Sequence, residues 1–139
     1  MSCTPPVRTL TVARNQPVWS QGGATNQGLS DIFVFTGDEI MQVAPMLSQV
    51  RATLIVDNRT LNAEIEVVMQ STLDGINWSN PVVLSQAWVN ANGPDITAWH
   101  TNAADFTRGI RFGVRIRQAA GTAVEMARVS LILDLQLKS

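Results

Sequence analysis

A chain of 139 residues and 15.1 kDa has room for one domain and little for a second. Its composition, 45% apolar and 15% charged with one cysteine and one histidine, excludes a disulfide framework, a zinc ribbon and a cysteine–histidine nucleophile with a histidine to spare. A formal net charge of −1 argues against an electrostatic binder of nucleic acid, and no apolar run approaches the ~20 residues of a membrane span.

The first segment, Met1-Ser2-Cys3-Thr4-Pro5-Pro6, has neither the basic start nor the apolar stretch of a secretion signal. Cys3 reads as a free thiol made in a reducing compartment. Val7 to Val12 alternates weakly, and Asn15-Gln16-Pro17 through Gly28 is rich in Gln, Asn, Gly and Thr. Residues 1–30 are therefore expected to form an extended arm or long loop with one weak strand, and residues 31–139 a single β-domain. Ile32-Phe33-Val34-Phe35, ended by Thr36-Gly37, reads as a short strand. Asp38 to Leu47 has an acidic start but contains Pro45, so at most one short helix fits there.

From Val50 onward the pattern is that of strands. Val50 to Val56 is β-rich and is followed by the turn residues Asp57-Asn58-Arg59-Thr60. Ile65, Val67 and Met69 alternate with Glu64, Glu66, Val68 and Gln70, and the Asp74-Gly75 pair after them supplies the positive φ of a tight turn. Pro81 opens a strand that runs through Val82-Val83-Leu84 toward Trp88-Val89. Asn102 to Thr107 has room for one helical turn. Ile110, Phe112, Val114 and Ile116 then face one way and Arg111, Gly113, Arg115 and Arg117 the other. After the Ala119–Ala123 glycine loop, Val124 to Leu137 would span roughly 46 Å at ~3.3 Å per residue. A bulge or bend in that strand, or a portion extending past the body, is expected. Seven or eight short strands without a long helical pattern give an all-β antiparallel sandwich, jelly-roll-like.

Glu64 and Glu66, two apart on one strand, share a face at roughly 6.5–7 Å, a spacing that would suit glycosidase carboxylates. The plainer reading is a solvated outer face on which they pair with Arg111, Arg115 and Arg117 of a neighbouring strand; the three arginines are also candidates for a subunit interface or for binding an anion. Those arginines lack the interleaved aromatics of a nucleic-acid platform, because Phe112 points inward. Four tryptophans and no tyrosine form an unusual balance. Trp78, Trp88 and Trp99 are candidates for a core or subunit interface, or for a platform that stacks on sugar rings, with Trp78 expected to pack over the Asp-Gly hairpin. His100 has no second ligand or motif around it and reads as structural. Asp74, Asn77 and the 90–95 loop offer oxygens without calcium-loop spacing. The sequons at Asn58 and Asn77 carry no meaning without a secretion signal. No phosphate loop, dinucleotide fingerprint or hydrolase elbow is present in the sequence, so no cofactor, metal or catalytic residue is assigned and the chain is expected not to be an enzyme.

The order of these features is itself informative. A β-rich run over 51–69 ends in Gln70-Ser71-Thr72-Leu73-Asp74-Gly75-Ile76-Asn77-Trp78, and an arginine-bearing strand, a glycine turn and a last apolar strand follow. Over residues 50–137 this resembles small β-sandwich proteins encoded among the structural genes of tailed bacteriophages and prophages, in which a Ser-x-Asp-Gly-x-Asn-Trp hairpin is frequent. The resemblance implies a head-decoration, head-fibre or tail component, placed in the virion after synthesis in a host cytoplasm. It also implies contacts to symmetry mates (a trimer or dimer) and to major capsid or other virion proteins, with no nucleic acid or membrane partner. The low charge and mean hydropathy of +0.09 fit a surface partly covered by another subunit. A carbohydrate-binding sandwich used in host adhesion is the alternative.

Overall fold

The computed structural model describes residues 7–22, 28–36, 42–85 and 88–138. It is an antiparallel sandwich of two four-stranded sheets. The strands are β1 (Val7–Trp19), β2 (Phe33–Val34), β3 (Leu47–Arg59), β4 (Ala63–Thr72), β5 (Val82–Val83), β6 (Gly93–Ile96), β7 (Gly109–Gln118) and β8 (Met126–Leu137). One sheet has the order β1-β8-β3-β6 and the other β2-β7-β4-β5. β1 pairs with β8, β2 with β7, β3 with β6 and β4 with β5. That is the pairing of one long hairpin wrapped into two layers, the jelly-roll-like arrangement the alternating pattern predicts. Single 3-10 turns lie at Ala44–Met46 and Ala103–Asp105.

The core is built from the rows that alternate inward. Val50, Ala52, Leu54 and Val56 of β3 and Val129, Leu131, Leu133 and Leu135 of β8 face Ile65, Val67 and Met69 of β4 and Ile110, Phe112, Val114 and Ile116 of β7, all buried. Each such Leu, Ile or Phe contributes about 1.5–3 kcal/mol relative to exposure. β8 lies between β1 and β3 and is continuous. The irregularities expected within it fall instead on its neighbours, at Thr11/Ala13 and Ala13/Gln16 of β1 and at Leu47/Gln49 and Val56/Asn58 of β3.

The amino-terminal region departs most from expectation. Residues 7–19 are a full 13-residue strand at the edge of the first sheet, where the composition suggests an arm with one weak strand. The physical reason is the pair of register shifts. Ala13 and Val18 both reach the core, yet they are five residues apart, an odd spacing that strict alternation forbids and a bulge permits. Asn15, at φ 48°, makes the kink. Cys3, the 23–27 part of the glycine-rich stretch and the start of the segment at Asp38 lie outside the described residues. The strand expected from Pro81 to Val89 is reduced to Val82–Val83 and an isolated bridge of Val89 to Ile65.

Two ends of the sandwich matter below. One carries the carboxyl end of β1, the β3–β4 turn at 60–62 and the β7–β8 loop at 119–125. The other carries the 73–78 hairpin, the 97–108 segment and the carboxyl end of β8.

Candidate functional site

The outer face of the second sheet follows directly from the β4–β7 register. Glu64 stands opposite Arg117, Glu66 opposite Arg115 and Gln70 opposite Arg111. Arg117 Nε donates to Glu64 Oε1 at 3.0 Å, Arg115 Nε to Glu66 Oε1 at 2.7 Å, and Arg111 Nε to Gln70 Oε1 at 2.9 Å. Arg115 Nη2 also donates to Glu66 Oε1. The cross-strand pairing read from the sequence is therefore present. Each carboxylate is held by a guanidinium, as the plainer of the two readings expects. The Glu66 side chain retains only 6% exposure, and Val68, next on the same face, is fully buried.

Each of the three candidate tryptophans lies against an arginine. The Arg111 guanidinium sits 4.2 Å from the Trp78 ring centre, Arg117 4.2 Å from Trp88, and Arg51 4.5 Å from Trp99. These are cation–π contacts worth ~0.5–1 kcal/mol each at partly exposed sites. Trp78 and Trp88 share the outer face of the second sheet, where their arginines are six residues apart on β7, about 20 Å. Trp99 belongs to the opposite face of the molecule, with Arg51, whose Nε also donates to Asp134 Oδ2 at 2.8 Å. Trp78, Trp88 and Trp99 thus form no single platform. Arg111 differs from Arg115 and Arg117 in having a neutral amide as its partner, and burial lowers its pKa. Beside it a depression of ≈ 540 Å³ runs between Ile32, Val34, Pro81, Gln70 and Arg115.

The 73–78 hairpin is the most heavily hydrogen-bonded loop. Asp74 Oδ1 accepts from the amides of Ile76 and Asn77, both at 2.8 Å, and Asp74 Oδ2 accepts from Asn77 Nδ2 at 2.7 Å. Thr72 Oγ1 accepts from the Gly75 amide at 2.9 Å. Gly75 takes the φ of 80° expected of it. The Asn77 and Ile76 amides, with help from the Asn77 and Thr72 side chains, hold the Asp74 carboxyl well below the usual carboxylate range. Pinned in this way, the loop presents Leu73 at 75% and Ile76 at 80% exposure. Against its flank lies a hollow of ≈ 410 Å³ whose lining includes Leu73, Asp74, Asn77, Trp78, Ser79 and Thr107.

At the opposite end, Trp19 and Met126 face each other across β1 and β8 and are both half exposed, with Trp19 edge-on to Phe33 at 5.0 Å. Beside them Pro17, Asn58, Arg59, Thr60, Met126, Ala127 and Arg128 enclose a hollow of ≈ 250 Å³. Neither Arg59 nor Arg128 meets a carboxylate among the described residues. Arg59 Nη1 donates to the carbonyls of Thr60, Leu61 and Ala63, and Arg128 Nη1 to that of Asn15. His100 is held by Asp105 at 2.7 Å and by a backbone bridge to Val50, as a structural histidine is. Among the described residues no three His, Cys, Asp or Glu side chains gather as metal ligands.

Sequence reasoning missed Arg51, Trp19, Leu73 and Ile76 as surface features. The signal for the last two was available: bulky aliphatics flank an Asp-Gly turn, where polar residues are usual. Trp19 carried no such mark, because its strand reads as an arm.

No protein-family model matches the sequence, and no curated protein does. The fold does have solved counterparts. A chain in the structure of infectious bursal disease virus strain Gx is similar over 97% of this chain and 34% of its own length, with a TM-score of 0.57 and 12% identity. The VP2 subviral particle of the same virus matches over 95% of this chain and 33% of that one, TM-score 0.56 and 11% identity. Its derived T=1 particles match over 95% and 32%, TM-score 0.53 and 11% identity. This chain spans about a third of the length of those virus-particle proteins, and at such identities the likeness is one of fold.

Proposed function

We propose that the protein is a non-enzymatic structural subunit of a virus or phage-like particle, with capsid decoration or another head-associated position as its role. The observation that carries this reading is the superposition of nearly the whole chain, in jelly-roll-like order, on one third of a virus-particle protein. A fold does not by itself dictate function, and the surface supplies the second line of support. The charged and aromatic groups of the second sheet's outer face are spent on each other, which makes a rigid shell rather than a reaction site. The partners on this reading are further copies, as a dimer or trimer, and other virion proteins. The test is mass spectrometry of purified intact particles from the source, with copy number from labelled peptide standards. Recovery at a fixed, many-copy ratio to the major shell protein supports the role. Its absence from washed particles removes it.

A carbohydrate-binding module for host adhesion is the second reading, favoured by one feature, the hollow beside Trp78 with Asp74, Asn77 and Thr107 on its walls. Against it, Arg111 already occupies one face of the Trp78 ring. Quenching of tryptophan fluorescence by oligosaccharides, lost in Trp78→Ala, is its distinguishing sign.

A further inference from the structure

The two ends of the sandwich carry features that no single copy can bring together. At one end the Leu73–Asp74–Gly75–Ile76 tip projects two exposed aliphatic side chains from a loop whose backbone is already fixed. Such a segment loses little conformational entropy on docking, the term that otherwise erodes interface energy. At the other end is the hollow lined by Pro17, Met126 and Ala127 together with the polar Asn58, Arg59, Thr60 and Arg128. β8 alone, which runs between the two ends, is 12 residues long, about 40 Å, so the tip cannot fold back on its own hollow.

We infer that the 73–76 tip of one copy seats in the Pro17–Arg59–Met126–Arg128 hollow of a second copy, Leu73 and Ile76 entering against Met126 and Ala127. Charge complementarity selects this occupant. Asp74 carries a carboxylate that stays ionised, and the hollow presents two arginines without a carboxylate partner among the described residues. The two acidic residues nearest the hollow in sequence are already engaged, Asp57 by Ser130 Oγ at 2.9 Å and the buried Glu125 by Thr60 Oγ1. Trp19, opposite Met126 in the register, extends the apolar rim. The contact joins two different patches. It is therefore directional, making rings where the rotation closes and open chains where it does not. The inference rests on the particle-subunit reading and names the self-contact that reading requires.

Two variants test it, each confined to exposed side chains. Leu73→Ser with Ile76→Ser blunts the tip and leaves Asp74, Thr72 and Gly75 in place. Met126→Asp with Arg128→Glu fills the hollow with the wrong charge. Circular dichroism melts establish that both fold. In sedimentation velocity over a concentration series, the wild type is expected to associate and each variant to remain monomeric. Mixed together, the two variants should form one-to-one dimers and nothing larger, because one intact tip meets one intact hollow. A wild type that stays monomeric at high micromolar concentration overturns the inference. So does association that persists in both variants, and that result leaves the particle role standing. Failure to find the protein in particles, with complementation intact, instead removes the proposed role and keeps the contact.

Discussion

Removing Arg115 while leaving Glu66 in place strands a carboxylate on a dry strip of sheet. Glu66 has 6% side-chain exposure and Arg115 22%, and Val68 beside Glu66 is sealed. Taking one partner from a buried pair typically costs 3–5 kcal/mol. The residual exposure of Arg115 lets water approach, so Arg115→Ala is expected to lose about 3 kcal/mol of a total near 5–15 kcal/mol. Glu66→Gln keeps an acceptor for the guanidinium and exchanges a charge-assisted bond for a neutral one, a loss of about 1 kcal/mol. Glu66→Lys places a second cation against Arg115 and should fall well below Glu66→Gln. Replacing both residues by leucine removes the desolvation problem with the pair, and such replacements are often neutral. Urea unfolding measures all four, provided the m-value is unchanged, and adding the single Glu66→Leu and Arg115→Leu variants closes a double-mutant cycle that isolates the coupling. Arg115→Ala within about 0.5 kcal/mol of wild type, or a double-leucine variant as unstable as the two single losses combined, would refute the reasoning.

Asp74 sets a pH expectation. Its folded pKa is depressed, so its contribution is complete above the ordinary value of 3.8 and is lost as pH falls from there toward the folded pKa. The Ile76 and Asn77 amide resonances should therefore stay flat through pH 4 in an NMR titration, and a midpoint near 3.8 would sink this. Gly113→Ala is expected to cost about 1–3 kcal/mol in thermal melts, because the new Cβ would lie 2.2 Å from the Phe33 carbonyl oxygen and 2.8 Å from Ile32 Cγ2. An unchanged Tm contradicts that close approach. Deleting residues 1–19 removes β1 and uncovers one edge of β8, so the shortened chain should elute as aggregate in size exclusion; a well-folded monomer would contradict the place of β1 in the sheet.

The strands that the sequence made legible are those with both an unbroken period and a flanking turn. β4 and β7 are the clearest, since Ile65-Val67-Met69 and Ile110-Phe112-Val114-Ile116 alternate without interruption. Their oppositely charged faces also suggested pairing between neighbouring strands, because opposite charges across a ladder attract, while the register itself came from the structure. β1 was hidden by the bulges that shift its phase between Ala13 and Val18. β5 was overestimated because a short run of apolar residues after Pro81 does not reveal that only Val82 and Val83 enter the ladder. The stacking of Arg51 on Trp99 joins residues 48 positions apart through a tertiary neighbourhood that no local pattern encodes. The ends were legible only in part. The Asp-Gly turn marks Leu73 and Ile76 as unusual, but how tightly Asp74 and Thr72 close the loop beneath them is set by the coordinates.

What distinguishes the faces from the ends is whether their groups are already satisfied. On the second sheet Glu64, Glu66 and Gln70 each hold an arginine, and two of those arginines hold a tryptophan; on the first, Asp134 takes Arg51 and Thr9 while Asp57 takes Ser130. A partner arriving at either face would have to break such contacts before forming its own. The free edge of β1 offers backbone groups instead, but its irregular register, Asn15 and Pro17 obstruct extension of the sheet along its second half, as protected edges do. At the tip the exposed groups are the aliphatic Leu73 and Ile76, which have no bonds to give up, and among the described residues Arg59 and Arg128 of the hollow hold carbonyls rather than carboxylates. Their side chains contribute little to the core, so changes there alter association without altering folding. On the proposed role, that separation lets the strength of the inferred contact vary while the sandwich beneath it stays the same.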